Sequence, residues 1–345
     1  MDSNTPVDTS GNLSWSLGYG WAATQQTALA ETLQQLYRHN DSEEVGYVMW
    51  NDEFPGGDPP EWAGGAHAKG VLGLGTATGF YLLHSAPKFP AAPCMDCPDG
   101  IGNGSYTGIA MGQQLYGQSF MCASMAPPHL NLLAQAIGSS GVWVYDHLMP
   151  AALGQQYPQV GALTTSPYGT ASLVPGALPV VWGQALVTLG GEQLVAFAKG
   201  PTSVFYPLYE QVVEPFFQSG MLWETWQHGP GPVPQYCPAP GLSQLFSFTI
   251  ATVAVPAGAG WYVNQDHSKW GVTSHRVPSC CISEGQKQHG LLLPNGVCFG
   301  DLNRQVHQAY RGGGAVCFVA NLPLWSTWAD LVQRTEKCSA VKPLP

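Results

Sequence analysis

Two short runs of this sequence carry the same pair of side chains. Residues 66–72 read AHAKGVL and residues 266–270 read DHSKW, so His67 stands two before Lys69 and His267 two before Lys269. The chain has only 12 Lys and Arg in 345 residues, which makes two such placements worth explaining. Residues i and i+2 of a strand point to the same side. Both runs lie in strand-like sequence, so each pair is expected to share a face. Two imidazoles and two ammonium groups meeting at one interface suit a phosphodiester. One histidine attacks phosphorus and forms a phosphohistidine, while the other protonates the leaving oxygen and then activates water. The lysines hold the charge on the non-bridging oxygens. With lysines in that role the chemistry requires no metal ion. A single His-x-Lys is more often ordinary surface. Its recurrence brings the catalytic reading level with the structural one.

The elements that must position these groups follow from apolar periodicity and turn residues. Residues 21–39 read as a helix and 46–52 as a strand. HAKGVLGLG and GFYLLHS (79–85) read as two strands joined by a hairpin across 73–79. A helix is expected at 129–138 and a strand at 141–148, followed by a turn-rich stretch over 151–180. The second half opens on ALVTLGG and QLVAFAKG as strands. A helix at 206–217, strands at 246–255, 260–273 and 313–323, and a helix at 301–311 follow. A boundary near residue 175 divides the chain into halves, 1–175 and 176–345, each with one His-x-Lys.

Composition narrows the classes. The chain is 45% hydrophobic with 10% charged residues, 42 Gly and 29 Pro, which argues against coiled coil and disorder. Net charge is −10 with histidine neutral, so no broadly basic nucleic-acid surface exists at neutral pH. Ten histidines change that balance in acid. Cys94-x-x-Cys97 lacks a second CxxC, and the nine cysteines read better as disulfides of an oxidising compartment than as a zinc site. Asn12, Asn40 and Asn103 begin N-x-Ser sequons, candidates for glycosylation in a secreted protein. No run of 18 apolar residues is present, and residues 1–20 lack the apolar segment of a signal peptide. A mature secreted form fits these facts, as does a cytosolic protein. Monomer and homodimer are both open.

Six blocks then stand in a familiar order: AHAKGVL (66–72), HSAPKFP (84–90), YGQSFMC (116–122), DHSKW (266–270), CFGDLNR (298–304) and RGGGAVCF (311–318). Together they resemble the DNase II family of acid endonucleases, from about residue 46 to the C-terminus. The resemblance implies an α/β, phospholipase D-like fold. Two similar α/β halves with central mixed sheets would form an intrachain pseudo-dimer around one site. It implies a secreted, periplasmic or lysosomal endonuclease that needs no cofactor and cuts DNA with little sequence preference to 3′-phosphate and 5′-hydroxyl ends. His67, Lys69, His267 and Lys269 fall at the paired catalytic motifs; the two positions look nearly symmetric, and the first histidine is preferred as nucleophile with His267 as acid/base. His84 falls at a further important histidine. Cys298–Cys317 matches a typical family pair, and Cys237–Cys338 is a looser one. Cys94 and Cys97 lie in a segment expanded relative to the family, and Cys122 lacks its usual N-terminal partner.

Beside these, Gln118 and Ser119 of YGQSF are candidate donors to a non-bridging oxygen, and Asn303 a donor to phosphate or an orienter of His267. Arg304 reads either as a contact to a backbone phosphate or as a partner of Asp301. Trp270 is the best placed tryptophan for base stacking. Asp266 takes a support role, and Gly312 to Gly314 a tight bend near the phosphate. The competing readings are a phosphodiesterase of the same chemistry acting on a lipid or small diester, and a non-enzymatic DNA-binding or surface protein.

Overall fold

A computed structural model describes residues 27–38, 43–55, 65–93, 106–165, 175–227, 231–235, 246–255, 260–274 and 295–336. The fold is α/β with two sheets. The first contains β1 (Val45–Asn51), β2 (Lys69–Gly75), β3 (Gly79–His84), β4 (Phe120–Met125) and β5 (Val144–Leu148), in the order β4-β3-β2-β1-β5. The second contains β6 (Val181–Val187), β7 (Gln193–Lys199), β8 (Met221–Glu224), β9 (Ser247–Ala254) and β10 (Gly260–Tyr262). It continues with β11 (Trp270–Thr273), β12 (Gly296–Gly300), β13 (Gly313–Val319) and β14 (Val332–Thr335). Its order is β10-β9-β8-β11-β12-β13-β7-β6, with β14 on β9. The run β13-β12-β11-β8 repeats the order β4-β3-β2-β1 of the first sheet, but the fifth strand does not correspond, since β5 follows β4 in the chain whereas β9 follows β8 directly. One edge differs: β5 runs antiparallel to β1, whereas β9 runs parallel to β8. The first sheet is therefore antiparallel throughout, not mixed as expected, and only the second mixes directions.

Period-two alternation explains why both sheets hold. Val48 and Trp50 of β1, Leu72 and Leu74 of β2, and Tyr81 and Leu83 of β3 enter a core that also takes Trp270, Val272, Val297, Phe299, Val316 and Phe318 of the second sheet. Tyr47, Met49, Val71 and Leu82 point the other way, into a second core under helix α1 (Ala28–Arg38). Ala315, Cys298 and Cys317 face a third core. Glycines make room for the largest rings: a Cβ on Gly70 would lie 2.4 Å from Trp50, and one on Gly271 would lie 2.3 Å from Trp223. Helix α2 (Pro127–Ser140) starts on a proline pair and ends at Gly141, whose φ of 76° favours glycine.

Several expected elements shift. The turn-rich stretch after residue 150 holds two short helices, α3 (Ala151–Gln156) and α4 (Pro158–Thr165). The helix expected at 206–217 is a π-helical segment, Tyr209–Val213, running into α5 (Glu214–Phe217), and 301–311 keeps only a 3-10 turn at Val306–Ala309. The last helix is α6 (Leu322–Ala329), capped by Asn321. The strand expected at 260–273 is broken by a 3-10 turn at Val263–Gln265. Consequently neither His-x-Lys lies inside a strand. Lys69 is the first residue of β2, and Lys269 directly precedes β11, so both histidines sit on the chain leading into their strands. No helix among the described residues is long and apolar enough to cross a membrane. Cys298 and Cys317 pair across β12 and β13 and form a disulfide, as expected. Cys122 on β4 is an exposed free thiol. Cys94, Cys97, Cys237 and Cys338 and the sequons at Asn12, Asn40 and Asn103 lie outside the described residues.

Candidate active site

The two histidines are held in matching ways, each by chain segments that flank strands of the other sheet. His67 donates its backbone N–H to the Gly312 carbonyl (2.9 Å), and its ring Nδ1 lies 2.7 Å from the Asp301 carbonyl oxygen. His267 donates its backbone N–H to the Gly117 carbonyl (2.8 Å), and its Nδ1 lies 2.9 Å from the Ser85 carbonyl oxygen. A carbonyl only accepts, so both Nδ1 atoms carry hydrogen, and each neutral ring keeps Nε2 as its free base. The supporting loops match as well. Ser85 N–H donates to the Ser119 carbonyl (3.1 Å) and Ser119 N–H to Ser85 Oγ (2.9 Å). Asp301 N–H donates to the Gly314 carbonyl (2.9 Å) and Gly314 N–H to Asp301 Oδ2 (2.9 Å). Gly312 must be glycine, because a Cβ there would lie 1.8 Å from the Ser140 carbonyl oxygen.

The surroundings of the two rings differ. Asp52, the residue after β1, pairs with Lys69, lies 3.2 Å from Arg311 Nη2 and lies 4.0 Å from His67 Nε2. Burial alone would raise this carboxyl, but His67, Lys69 and Arg311 outweigh it and hold it well below the usual carboxylate range. Arg311 also donates to the Gly65 (2.9 Å) and Ala66 (3.0 Å) carbonyls, stapling the chain that leads into His67. His67 is held well below its ordinary value, chiefly by burial, with Asp52 opposing. His267 is also pushed well down, by burial, then Lys269, Lys69 and His67. In place of a carboxylate it has Trp226, with ring centroids 5.2 Å apart. Lys269 is lowered to about 7 by burial and then by Lys69. Its Nζ donates to the His267 carbonyl at 3.0 Å. Asp301 is raised to about 7 by burial, against the Gly314 and Lys69 backbone N–H groups and both lysines.

The remaining expected residues separate clearly. Ser119 is close in: its Oγ accepts the Lys269 N–H at 3.2 Å. Gln118 accepts from Ser85 Oγ through Oε1, while its buried Nε2 has no partner. Asn303 is buried, its backbone N–H donates to Gln308, and its Oδ1 has no partner. His84 is buried, packed on Phe89 and Phe120 and lowered to about 3 by burial and then Lys69, so its ring is neutral. It directly precedes the Ser85 that holds His267. Asp266 takes the support role: its carboxylate accepts from Ser268 N–H (2.8 Å) and Trp261 Nε1 (2.6 Å), shaping the approach to His267.

Two expectations are corrected. Arg304 does not pair with Asp301, and it is too buried to meet a backbone phosphate. Its guanidinium is buried and donates to Glu210 (2.9 Å), Thr249 (2.9 Å) and the Pro234 carbonyl (3.3 Å). Trp270 is 2% exposed and packs edge-on against Trp328, so no base reaches it. Sequence reading also passed over Asp52, Arg311 and Trp226. The signal for Asp52 was present in the register: β1 and β2 pair Asn51 with Lys69, which puts the next residue beside the first His-x-Lys. Trp226 had the matching signal in the second sheet, where Glu224 pairs with Trp270, whereas Arg311 had none. Among the described residues, no group of three or more His, Cys, Asp or Glu is placed to hold a metal ion.

Known proteins resemble this chain over nearly its whole length. It is 29% identical to cell death-related nuclease 6 of Caenorhabditis elegans over 95% of this chain and 78% of that protein. It is 28% identical to plancitoxin-1 of Acanthaster planci over 90% of this chain and 76% of that one. With deoxyribonuclease-2-alpha of Mus musculus it shares 26% identity over 94% of this chain and 81% of the mouse protein. The family profile described as Deoxyribonuclease II matches residues 4–338, and the chain accordingly belongs to the deoxyribonuclease II family, as a hydrolase of the nuclease type.

Proposed function

We propose that the protein is an acid endodeoxyribonuclease that hydrolyses DNA phosphodiesters, without a metal ion, to 3′-phosphate and 5′-hydroxyl ends. What supports the reading most is the crossed pair of Nδ1–carbonyl contacts, His67 to Asp301 and His267 to Ser85, which keeps two Nε2 atoms available in one site. The matching run of four strands in each sheet and the matching loop contacts favour the two sheets as halves of an intrachain pseudo-dimer of the phospholipase D kind, divided near residue 175.

In the reaction His67 Nε2 attacks phosphorus. The N–P bond forms as the P–O5′ bond breaks, and His267 Nε2 gives its proton to the departing O5′. The ring of His67 becomes a phosphorylated imidazolium, and the Asp52 carboxylate beside it offsets that charge. His267, now neutral, takes a proton from water, whose oxygen attacks the phosphohistidine and releases the 3′-phosphate. Lys69 and Lys269 balance the non-bridging oxygens, and the partnerless Nε2 amide of Gln118 supplies a further donor. His84 acts as a positioning residue through Ser85. Burial and neighbouring cations make His267 a weak holder of its proton, so the acid is loaded only at low pH and with an anionic substrate bound. Falling pH also charges Lys269 and neutralises Asp301, each near 7. An oxidising, acidic setting, lysosomal or secreted, suits both this chemistry and the disulfide. Alkaline quenching during turnover followed by peptide mass spectrometry tests the intermediate. Phosphate on His67 is the expected result, and phosphate on His267 alone would reverse the two roles.

A further inference from the structure

The strand register makes Asp52 and Trp226 positional counterparts. Asn51 pairs with Lys69, and Asp52 follows it. Glu224 pairs with Trp270, so the same register sets Thr225 against Lys269, and Trp226 follows. One half thus offers its histidine a carboxylate and the other an indole. The indole is half-buried, and a second ring extends it outward. Tyr116 meets Trp226 edge to face, with centroids 5.2 Å apart and planes at 85°, and is 37% exposed. Tyr116 adjoins Gly117, whose carbonyl accepts the His267 N–H. The three rings Tyr116, Trp226 and His267 therefore form a corner running from the acid/base group to solvent.

A second observation concerns what else could hold a nucleic acid. Among the described residues, Lys69, Lys199, Lys269 and Arg304 are buried. Arg38, Lys88 and Arg334 are exposed and Arg311 only partly so. Among the described residues, no long cationic track runs along the strand to supply affinity, and the net charge is −10 with histidine neutral. Stacking on aromatic rings supplies affinity without charge and without sequence preference.

We propose that Tyr116 and Trp226 form a base-stacking subsite for the nucleoside on the 3′ side of the cleaved bond, the one that leaves with O5′. The side follows from His267, which protonates that oxygen and touches Trp226. The proposal rests on the nuclease reading above. The test uses short single strands whose one phosphodiester is flanked by methylphosphonates, with a normal or an abasic nucleoside on either side of the cleavable bond. The wild type is expected to lose at least about 5-fold in kcat/KM when the 3′-side base is removed, and little when the 5′-side base is removed. Tyr116→Ala and Trp226→Ala should abolish that preference, read for each variant as the ratio of its kcat/KM on the normal strand to its kcat/KM on the 3′-abasic strand. Trp226→Phe should restore part of the preference, which separates stacking from a disturbed fold. A wild type indifferent to the 3′-side base, or variants that retain its preference, would overturn the subsite. A wild type that cleaves neither these strands nor plasmid DNA would overturn the nuclease reading itself.

Discussion

His267 places its Nδ1 2.9 Å from the carbonyl oxygen of Ser85, a residue 182 positions earlier that directly follows β3 of the other sheet. His67 is held in the same manner by Asp301. The Nδ1 of each ring is thus held by a loop beside the other sheet, so each sheet helps to finish the other's histidine.

Replacing either ring should therefore stop turnover without unfolding the protein. His67→Ala and His267→Ala are each expected to lower kcat by roughly 10²–10⁴-fold. Circular dichroism should remain that of the wild type. Most of the activity surviving in either purified variant would remove the paired-histidine mechanism.

Asp52 carries both structure and charge. Asp52→Ala leaves Lys69 and Arg311 buried or half-buried beside a lost partner, and about 3–5 kcal/mol of stability is expected to go with it at neutral pH. The folded carboxyl is depressed, so its contribution is present above the ordinary value of about 3.9 and fades as pH falls below that. Urea titrations at neutral pH and near pH 3 should show the wild type and variant converging in acid. Equal separation at both would contradict the ion cluster.

Lys269 is expected to act on the chemical step. Lys269→Ala should reduce the single-turnover rate by about 10²-fold, with a much smaller change in substrate Kd. A change confined to affinity would make the lysine a simple anchor.

The pH–rate profile should rise toward acid. Three groups move in the favourable direction as pH drops: His267 gains its weakly held proton, Lys269 becomes charged and Asp301 becomes neutral, the last two around 7. Initial rates across the range at constant ionic strength test this. A maximum above about pH 8 would be incompatible with His267 as the acid.

Much of this was legible in the residues. Alternating runs such as GFYLLHS and GGAVCFV became β3 and β13, and the two His-x-Lys pairs lie within electrostatic reach of each other. Pair geometry was misread because strand-like composition does not mark where a ladder begins, and both motifs feed strands instead of lying in them. Arg304 and Trp270 were misplaced for a shared reason. A cation or an indole beside a motif looks functional in one dimension, yet Glu210 and Trp328, distant in sequence, decide that both are buried. Asp52, Arg311 and Trp226 became visible only once registers between distant segments were known.

The most direct measurement is plasmid cleavage at about pH 5 in excess EDTA, followed by end-group analysis. The account predicts cleavage with 3′-phosphate and 5′-hydroxyl ends. No cleavage until a divalent metal is restored, or ends carrying 5′-phosphate, would contradict the paired-histidine mechanism.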